Sequence, residues 1–288
     1  MQFVVNGIMT GGLYGLIAVS LVIIYKATKV FNFAVGSLLT LSGFICLTFI
    51  EKLQFPFWLA FLAALLLSGL IGALVERLTL RPLLSQPVLV LVMATLLLDS
   101  IIYGLTLIFW TGYTYSFPMG TIPGSTLHIG QLFLSHELFY AFIAVLVCFT
   151  LIGLLFQKTH IGLKMRSTAE DFSTSMTLGI NVKNIFTLTW ILAGIVVAMA
   201  GILLGNRLGL QAAITPAIAF KAIPATIFGG LDSITGALIG GLVVGIIEQL
   251  TGGLMGSAYA EISPYVVLLL VLFIRPEGLF GTKRIERI

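Results

Sequence analysis

Charge is what this chain has least of. Only 9% of its 288 residues are Asp, Glu, Lys or Arg, against about 25% in an ordinary soluble domain. So few charges cannot cover a water-exposed globular surface, which excludes a soluble protein and leaves no room for a folded soluble domain. Cysteine is scarce as well. Cys46 and Cys148 both sit in apolar runs, which suits buried thiols and neither a disulfide framework nor a metal cage. The chain holds no G-x-x-x-x-G-K-[ST] stretch to cradle nucleotide phosphates, no H-E-x-x-H and no C-x-x-C. His128 and His136 fall in one loop and His160 in another. No Ser or Cys stands among partners that would activate a nucleophile. The chain is therefore expected to be no enzyme, with no metal or cofactor of its own.

What remains is apolar mass: 59% hydrophobic residues and a mean hydropathy of +1.13. This composition predicts an all-α polytopic integral membrane protein, one domain over residues 1–288. A span needs about 20 apolar residues, fewer where flanking side chains snorkel or the helix is re-entrant. Candidate spans are 3–25, 33–50, 55–75, 88–110, 138–157, 185–205, 211–231, 234–251 and 261–274. The last is short and can extend to either side. Gly or Pro interrupts 33–50 and 211–231, so eight or nine crossings are expected, some broken or re-entrant. Met1 to Val5 carries no basic side chain ahead of the apolar run, which reads as a first span and not as a cleavable signal peptide.

Basic residues set the orientation. With the N-terminus outside and nine crossings, the inner segments hold Lys26, Lys29, Arg77, Arg81, Lys158, Lys164, Arg166, Lys183, Arg275, Lys283, Arg284 and Arg287, which is 12 of the 15 Lys and Arg. Lys52 and Arg207 fall outside, and Lys221 falls within a span. The reverse orientation inverts this ratio. The C-terminus is thus cytoplasmic, and the net charge of +4 faces anionic lipid and not nucleic acid. Gly7, Gly11 and Gly15 recur every four residues, as do Gly236 with Gly240 and Gly241 with Gly245. That spacing lets helix backbones approach closely in lipid.

Four stretches carry a resemblance. They are Lys26-Ala-Thr-Lys-Val-Phe-Asn-Phe-Ala-Val-Gly36; Glu76-Arg77 with Arg81-Pro82-Leu83; Ala169-Glu-Asp with Leu178-Gly-Ile-Asn-Val182; and Phe228-Gly-Gly-Leu-Asp-Ser-Ile-Thr-Gly-Ala-Leu-Ile-Gly-Gly241 with Arg275-Pro-Glu-Gly-Leu279. In order and spacing, end to end, the chain resembles the shorter permease subunit of branched-chain amino-acid ABC importers. Urea and short-amide permeases are close relatives. The resemblance implies a bacterial inner-membrane importer with four partners: a second homologous permease, two cytoplasmic ATPases that bind ATP and Mg, and an extracytoplasmic binding protein. A urea or short-amide permease is the alternative substrate reading, and a stand-alone channel or facilitator is the alternative of another class. Three departures stand out: Val35 where the family has His or Gln, Phe172-Ser173 where it often has a basic pair, and Asp232 where it has Gly.

An importer must hold its solute near the bilayer midplane, where unwound backbone can line a cavity. Two segments suit this: Asn32 to Gly43, with Asn32, Gly36, Ser37, Thr40 and Ser42, and Pro216 to Gly230, with Pro216, Lys221, Pro224 and Thr226. Asp99 lies mid-span in 88–110, where a carboxylate costs on the order of 2.5–3.5 kcal/mol. Lys221 falls at similar depth, so the two are expected either to pair or to contact substrate. Glu248 is placed near the outer end of its span, solvated at the boundary. On the inner side, 158–184 is the longest polar loop. Thr168 is expected to cap one short helix over Thr168–Leu178, with Glu170 and Asp171 in its first turn. Gly179 would end that helix, and Asn181 would begin the return to the membrane. By resemblance this is the coupling helix that docks on the ATPase, with Ala169, Glu170, Asp171, Gly179 and Asn181 as its contact residues.

Overall fold

In lipid an apolar run stays helical, because only hydrogen bonds within the segment satisfy its backbone. The computed structural model describes residues 1–83, 86–118, 127–129, 132–170 and 172–281. Its helices are α1 (Gln2–Thr28), α2 (Val35–Glu51), α3 (Phe57–Val75), α4 (Val88–Trp110), α5 (His136–Lys158), α6 (His160–Glu170), α7 (Phe172–Thr177) and α8 (Val182–Leu208). They are followed by α9 (Ile214–Phe220), α10 (Ala222–Gly229), α11 (Ile234–Met255) and α12 (Ser257–Ile274). A π turn at Glu76–Leu80 and a 3-10 turn at Arg81–Leu83 prolong α3. Among the described residues, two short strands depart from the helical pattern, β1 (Leu127–Ile129) pairing antiparallel with β2 (Leu132–Leu134).

Among the described residues seven helices, counting α3 with its extension as one, are long and apolar enough to cross a membrane, and α2 is a shorter eighth. The chain is a polytopic helical membrane protein. Two expected spans change shape. The segment 211–231 breaks at Lys221 into α9 and α10, and the last helix begins at Ser257.

Local chemistry places several helix starts. Ser135, Asn181 and Ser233 each cap a helix, accepting a hydrogen bond from Leu138 N (3.3 Å), Asn184 N (3.3 Å) and Gly236 N (2.9 Å). At one end of the bundle Tyr115 and Leu210 exchange backbone hydrogen bonds of 2.9 and 2.7 Å. At the other, the Lys29 ammonium meets Asp232 at 2.8 Å. Asp232, a departure from the family pattern, thus joins the first motif stretch to the last. The α9–α10 pair carries the chain from the first of these ends back to the second.

The core is a set of backbone contacts. α1 lies at the centre, buried along nearly its whole length. A Cβ added to Gly11 would stand 2.5 Å from Gly241 O, and one on Gly245 2.3 Å from Gly11 Cα. α3 and α8 meet the same way, with an added Cβ on Gly72 2.4 Å from Trp190 O. The four-residue glycine spacing is packing, as expected from sequence. α4 and α12, by contrast, bury little of their apolar surface. α4 turns inward one stripe, Leu91, Thr95, Leu98, Ile102 and Thr106.

Overpacking costs about 1–3 kcal/mol in a core that can adjust, and a backbone cannot retreat as a side chain can. Gly241→Val is therefore expected to destabilise the protein in detergent by about 3 kcal/mol or more, read by thermal unfolding. Gly104→Val, with open space at the added Cβ, is expected to stay within about 0.5 kcal/mol of wild type.

Candidate translocation path and coupling segment

Several of the polar residues expected from sequence to line a path gather where α1 gives way to α2. Lys29 ends α1 with φ of 56°, and the chain then runs without regular structure to Val35. Asn32 is buried, its Oδ1 accepting Ala34 N at 3.0 Å in an Asx turn that holds the break in shape. Two side chains of α4, four residues apart, support it from the side. Thr95 Oγ1 accepts Phe33 N at 3.3 Å, and the Asp99 carboxylate accepts the Ser37 hydroxyl. Ser37 lies in the first turn of α2, so the Asp99 charge sits at a helix N-terminus, where the dipole favours an anion.

Thr40 and Ser42 do not interrupt α2. Their hydroxyls donate back to Gly36 O (2.9 Å) and Leu38 O (2.7 Å) within the helix. The break is thus shorter than the expected Asn32–Gly43 and ends before Val35. Gly36 faces α9, with an added Cβ 3.0 Å from Pro216 Cα. The two segments proposed from sequence to line a path are therefore neighbours.

Asp99 and Lys221 do not pair. Lys221 Nζ donates to Glu248 Oε1 at 2.7 Å, and Asp99 is engaged by Ser37. Equal depth does not make two residues lateral neighbours: Asp99 faces α2 from α4, whereas Lys221 faces α11. Glu248 also departs from expectation, being only 7% exposed and not solvated at a boundary. The sequence held the signal. Gly241, Gly245 and Glu248 are spaced by four and three, which places Glu248 on the face that packs against α1. Pro224 is buried in the first turn of α10, where its missing N–H leaves no hydrogen bond unmade. Beside Lys221 a groove of about 450 Å³ is lined by Ala217, Ile218, Lys221, Glu261, Ile262 and Tyr265.

The inner loop holds two helices, not one over Thr168–Leu178. The cap is Thr159, whose Oγ1 accepts Gly162 N at 3.0 Å, so α6 starts at His160 and not at Thr168. Thr168 lies inside α6 with its hydroxyl on Lys164 O (2.8 Å). Ala169 and the Glu170 backbone end α6, and Asp171 lies outside the described residues. Gly179 does terminate α7. It has φ of 78°, and Gly179 N and Ile180 N each donate over 3.0 Å, to Met176 O and Ser175 O. This crossed pair is the Schellman arrangement. Asn181 then caps α8 directly.

A second polar cluster escaped the sequence reading as a site. Glu76 is 2% exposed, and both its oxygens are occupied. Oε1 accepts Arg81 Nε (3.0 Å), while Oε2 accepts Arg81 Nη2 (2.8 Å) and Thr187 Oγ1 (2.8 Å). The π turn brings these residues, five apart, to one side of the chain. The cluster ties the end of α3 to the first turns of α8. The last motif stretch closes likewise, with Leu279 N donating to Phe228 O (2.9 Å) and Phe280 N to Gly229 O (3.1 Å).

A family profile described as branched-chain amino acid transport system / permease component matches residues 3–274. The high-affinity branched-chain amino acid transport system permease protein BraD of Pseudomonas aeruginosa is 27% identical, over 100% of this chain and 98% of its own. The corresponding LivH protein of Escherichia coli K12 is 28% identical over 100% and 97%. A probable branched-chain amino acid transport permease protein LivH of Methanocaldococcus jannaschii is 30% identical over 98% and 94%.

Removing the Glu76 carboxylate leaves the Arg81 charge without its ion-pair partner, with Thr187 Oγ1 and Lys183 O as its remaining acceptors. Glu76→Ala is expected to destabilise the protein by about 1–3 kcal/mol. Glu76→Ala with Arg81→Met is expected to lose less than the single change, both read by thermal unfolding in detergent.

Proposed function

The chain belongs to the branched-chain amino acid transport permease family, and on that premise we propose that it is the membrane subunit of an ATP-driven importer of branched-chain and other hydrophobic amino acids. One observation carries this reading: the family match runs through residues 3–274, so it takes in both interrupted segments and the inner loop together. The multi-pass helical fold and the absence of a nucleotide-binding motif in the sequence support it. ATP with Mg is bound and hydrolysed on partner subunits. The assembly comprises a second homologous permease, two cytoplasmic ATPases and an extracytoplasmic binding protein, in a bacterial inner membrane or its equivalent. Urea or a short amide is the alternative cargo, and a free-standing facilitator is the alternative of another class.

In this reading the solute passes where α2 and α9 meet, with Asn32, Gly36, Ser37, Thr40, Lys221 and Pro224 near it and Asp99 holding the α2 entrance from behind. The inner loop, 158–184, is the coupling segment. Its helices α6 and α7 lead into α8 through the Gly179–Asn181 turn, and the Glu76–Arg81–Thr187 cluster passes a push on α8 to α3. Ala169 and Glu170, at the end of α6, and Asp171 after them in sequence are the residues offered to the ATPase.

The decisive measurement is uptake into proteoliposomes. The complete assembly is expected to accumulate leucine, isoleucine and valine only with ATP inside, and urea or acetamide not at all. Saturable flux through this chain alone would overturn the importer reading. Orientation is checked by impermeant thiol labelling. A cysteine at Tyr113 (77% exposed) is expected to react from outside and one at Leu178 (73% exposed) only after permeabilisation. In the coupling segment, Gly179→Val forces a branched residue to φ of 78°, where strain is of order 1–3 kcal/mol. It is expected to cut uptake about tenfold while the protein still inserts and the ATPases still hydrolyse. Wild-type uptake in that variant places the contact elsewhere.

A further inference from the structure

Among the described residues, two buried glutamates stand in ion pairs, and they are built differently. Glu76 has every acceptor position facing the protein filled by Arg81 and Thr187, as a structural strut requires. Glu248 is left half-used. Its Oε1 takes the Lys221 ammonium at 2.7 Å, while the buried Oε2 has no hydrogen bond of ordinary length; the Tyr14 hydroxyl is a donor standing next to the carboxylate, too far to close that bond. The other cation near Glu248, Arg207, donates instead to Thr10 Oγ1 at 2.8 Å. A buried, unanswered carboxylate oxygen is costly, and such groups mark places where something else binds.

The surroundings say what that is. Lys221 sits at the break between α9 and α10, about midway between the two ends of the bundle. It stands between the Glu248 carboxylate and the open groove, whose volume of about 450 Å³ falls within the roughly 300–1,000 Å³ of small-molecule sites. Ile218, Ile262 and Tyr265 give this groove apolar walls. Glu261 stands exposed at its mouth.

We propose that the Lys221–Glu248 pair is the seat for the charged head of a zwitterionic amino acid, which inserts between the two residues. The substrate ammonium replaces Lys221 Nζ on Glu248 and uses the idle Oε2. The released Lys221 takes the substrate carboxylate, and the apolar side chain rests on Ile218 and Ile262. A zwitterion entering an ion pair leaves the buried net charge unchanged and gives each charge an opposite neighbour. A cationic or anionic analogue leaves one charge unmatched, and the low dielectric penalises it. Selection for a free amino acid, over an amide or a carboxylic acid of the same shape, follows from this arrangement. Until a solute enters, the two charges neutralise each other across 2.7 Å.

This inference rests on the amino-acid importer reading, so wild-type proteoliposomes with the complete assembly are measured first. If they take up no branched-chain amino acid, that reading fails, whatever the pair does. With uptake established, Lys221→Met with Glu248→Gln removes both charges together and leaves none stranded. The double variant is expected to insert normally and to co-purify with the ATPases in wild-type amount. Its leucine uptake should fall at least about tenfold. Uptake within about twofold of wild type would reduce the pair to an internal strut and overturn the proposal. A second measurement does not depend on the double variant folding. In assemblies carrying Ile218→Cys, leucine is expected to slow maleimide labelling at least about fivefold, while leucinamide and 4-methylpentanoate protect far less. No protection, or equal protection by all three compounds, would also overturn it.

Discussion

Backbone against backbone, along the seam between α1 and α11, is the contact on which the rest of this structure depends. Lipid tails are as apolar as leucine, so helices in a bilayer gain little by hiding apolar side chains from them. Association has to come from close packing, and here it does so at Gly7, Gly11, Gly241 and Gly245, where an added methyl would enter the neighbouring main chain. Fixing α11 on α1 fixes more than two helices. Gly240 carries Ala225 O of α10 in equally close contact, and Gly229 meets Gly236. The break at Lys221 is thereby held opposite Glu248. The polar seat is placed by glycine.

Charged groups at depth are held in three ways, each set by what lies within reach. Glu76 meets a guanidinium and a hydroxyl and is saturated. Asp99 makes no ion pair among the described residues and uses the Ser37 hydroxyl at the start of α2, where aligned peptide dipoles supply partial positive charge. Glu248 takes one lysine and keeps one oxygen idle. The first two explain why α3 stays with α8 and α4 with α2. The third explains neither, because α11 is already secured by its glycines, and this makes it the group with capacity for another partner.

Much of the fold was legible in the sequence because bilayer depth is a one-dimensional property. Counting apolar residues located the long helices, the four-residue glycine spacing marked the seams, and Gly179 declared its own positive φ. Lateral position was not legible in the same way. Asp99 and Lys221 share a depth but face different helices. Glu248 was misread from its distance to the helix end, although its place three residues after Gly245 puts it on the packed face. Thr168 offered a plausible cap, but Thr159 lies closer to the end of α5 and takes the role first. Of the candidate site, the break at Lys221 was readable from its prolines and glycines. Its true partner was not, because nothing local in the chain records which helix lies alongside.

These contacts also divide the molecule into parts that can move and parts that cannot. α1 meets α11, and α8 meets α2 and α3, through main-chain atoms, and a shift at these seams of even half an ångström breaks van der Waals limits. α4 and α12 touch the bundle through side-chain tips along narrow stripes, and α9 is a two-turn helix bounded by a loop at one end and Lys221 at the other. Alternation of access, which any importer requires, therefore has to be taken up at α9, α12 and the start of α2, around a fixed glycine core. Lys221 sits where the moving α9 meets the fixed α10 and α11. A side chain at that junction, carrying a charge whose partner lies on the fixed side, senses the motion and the solute with the same ammonium group.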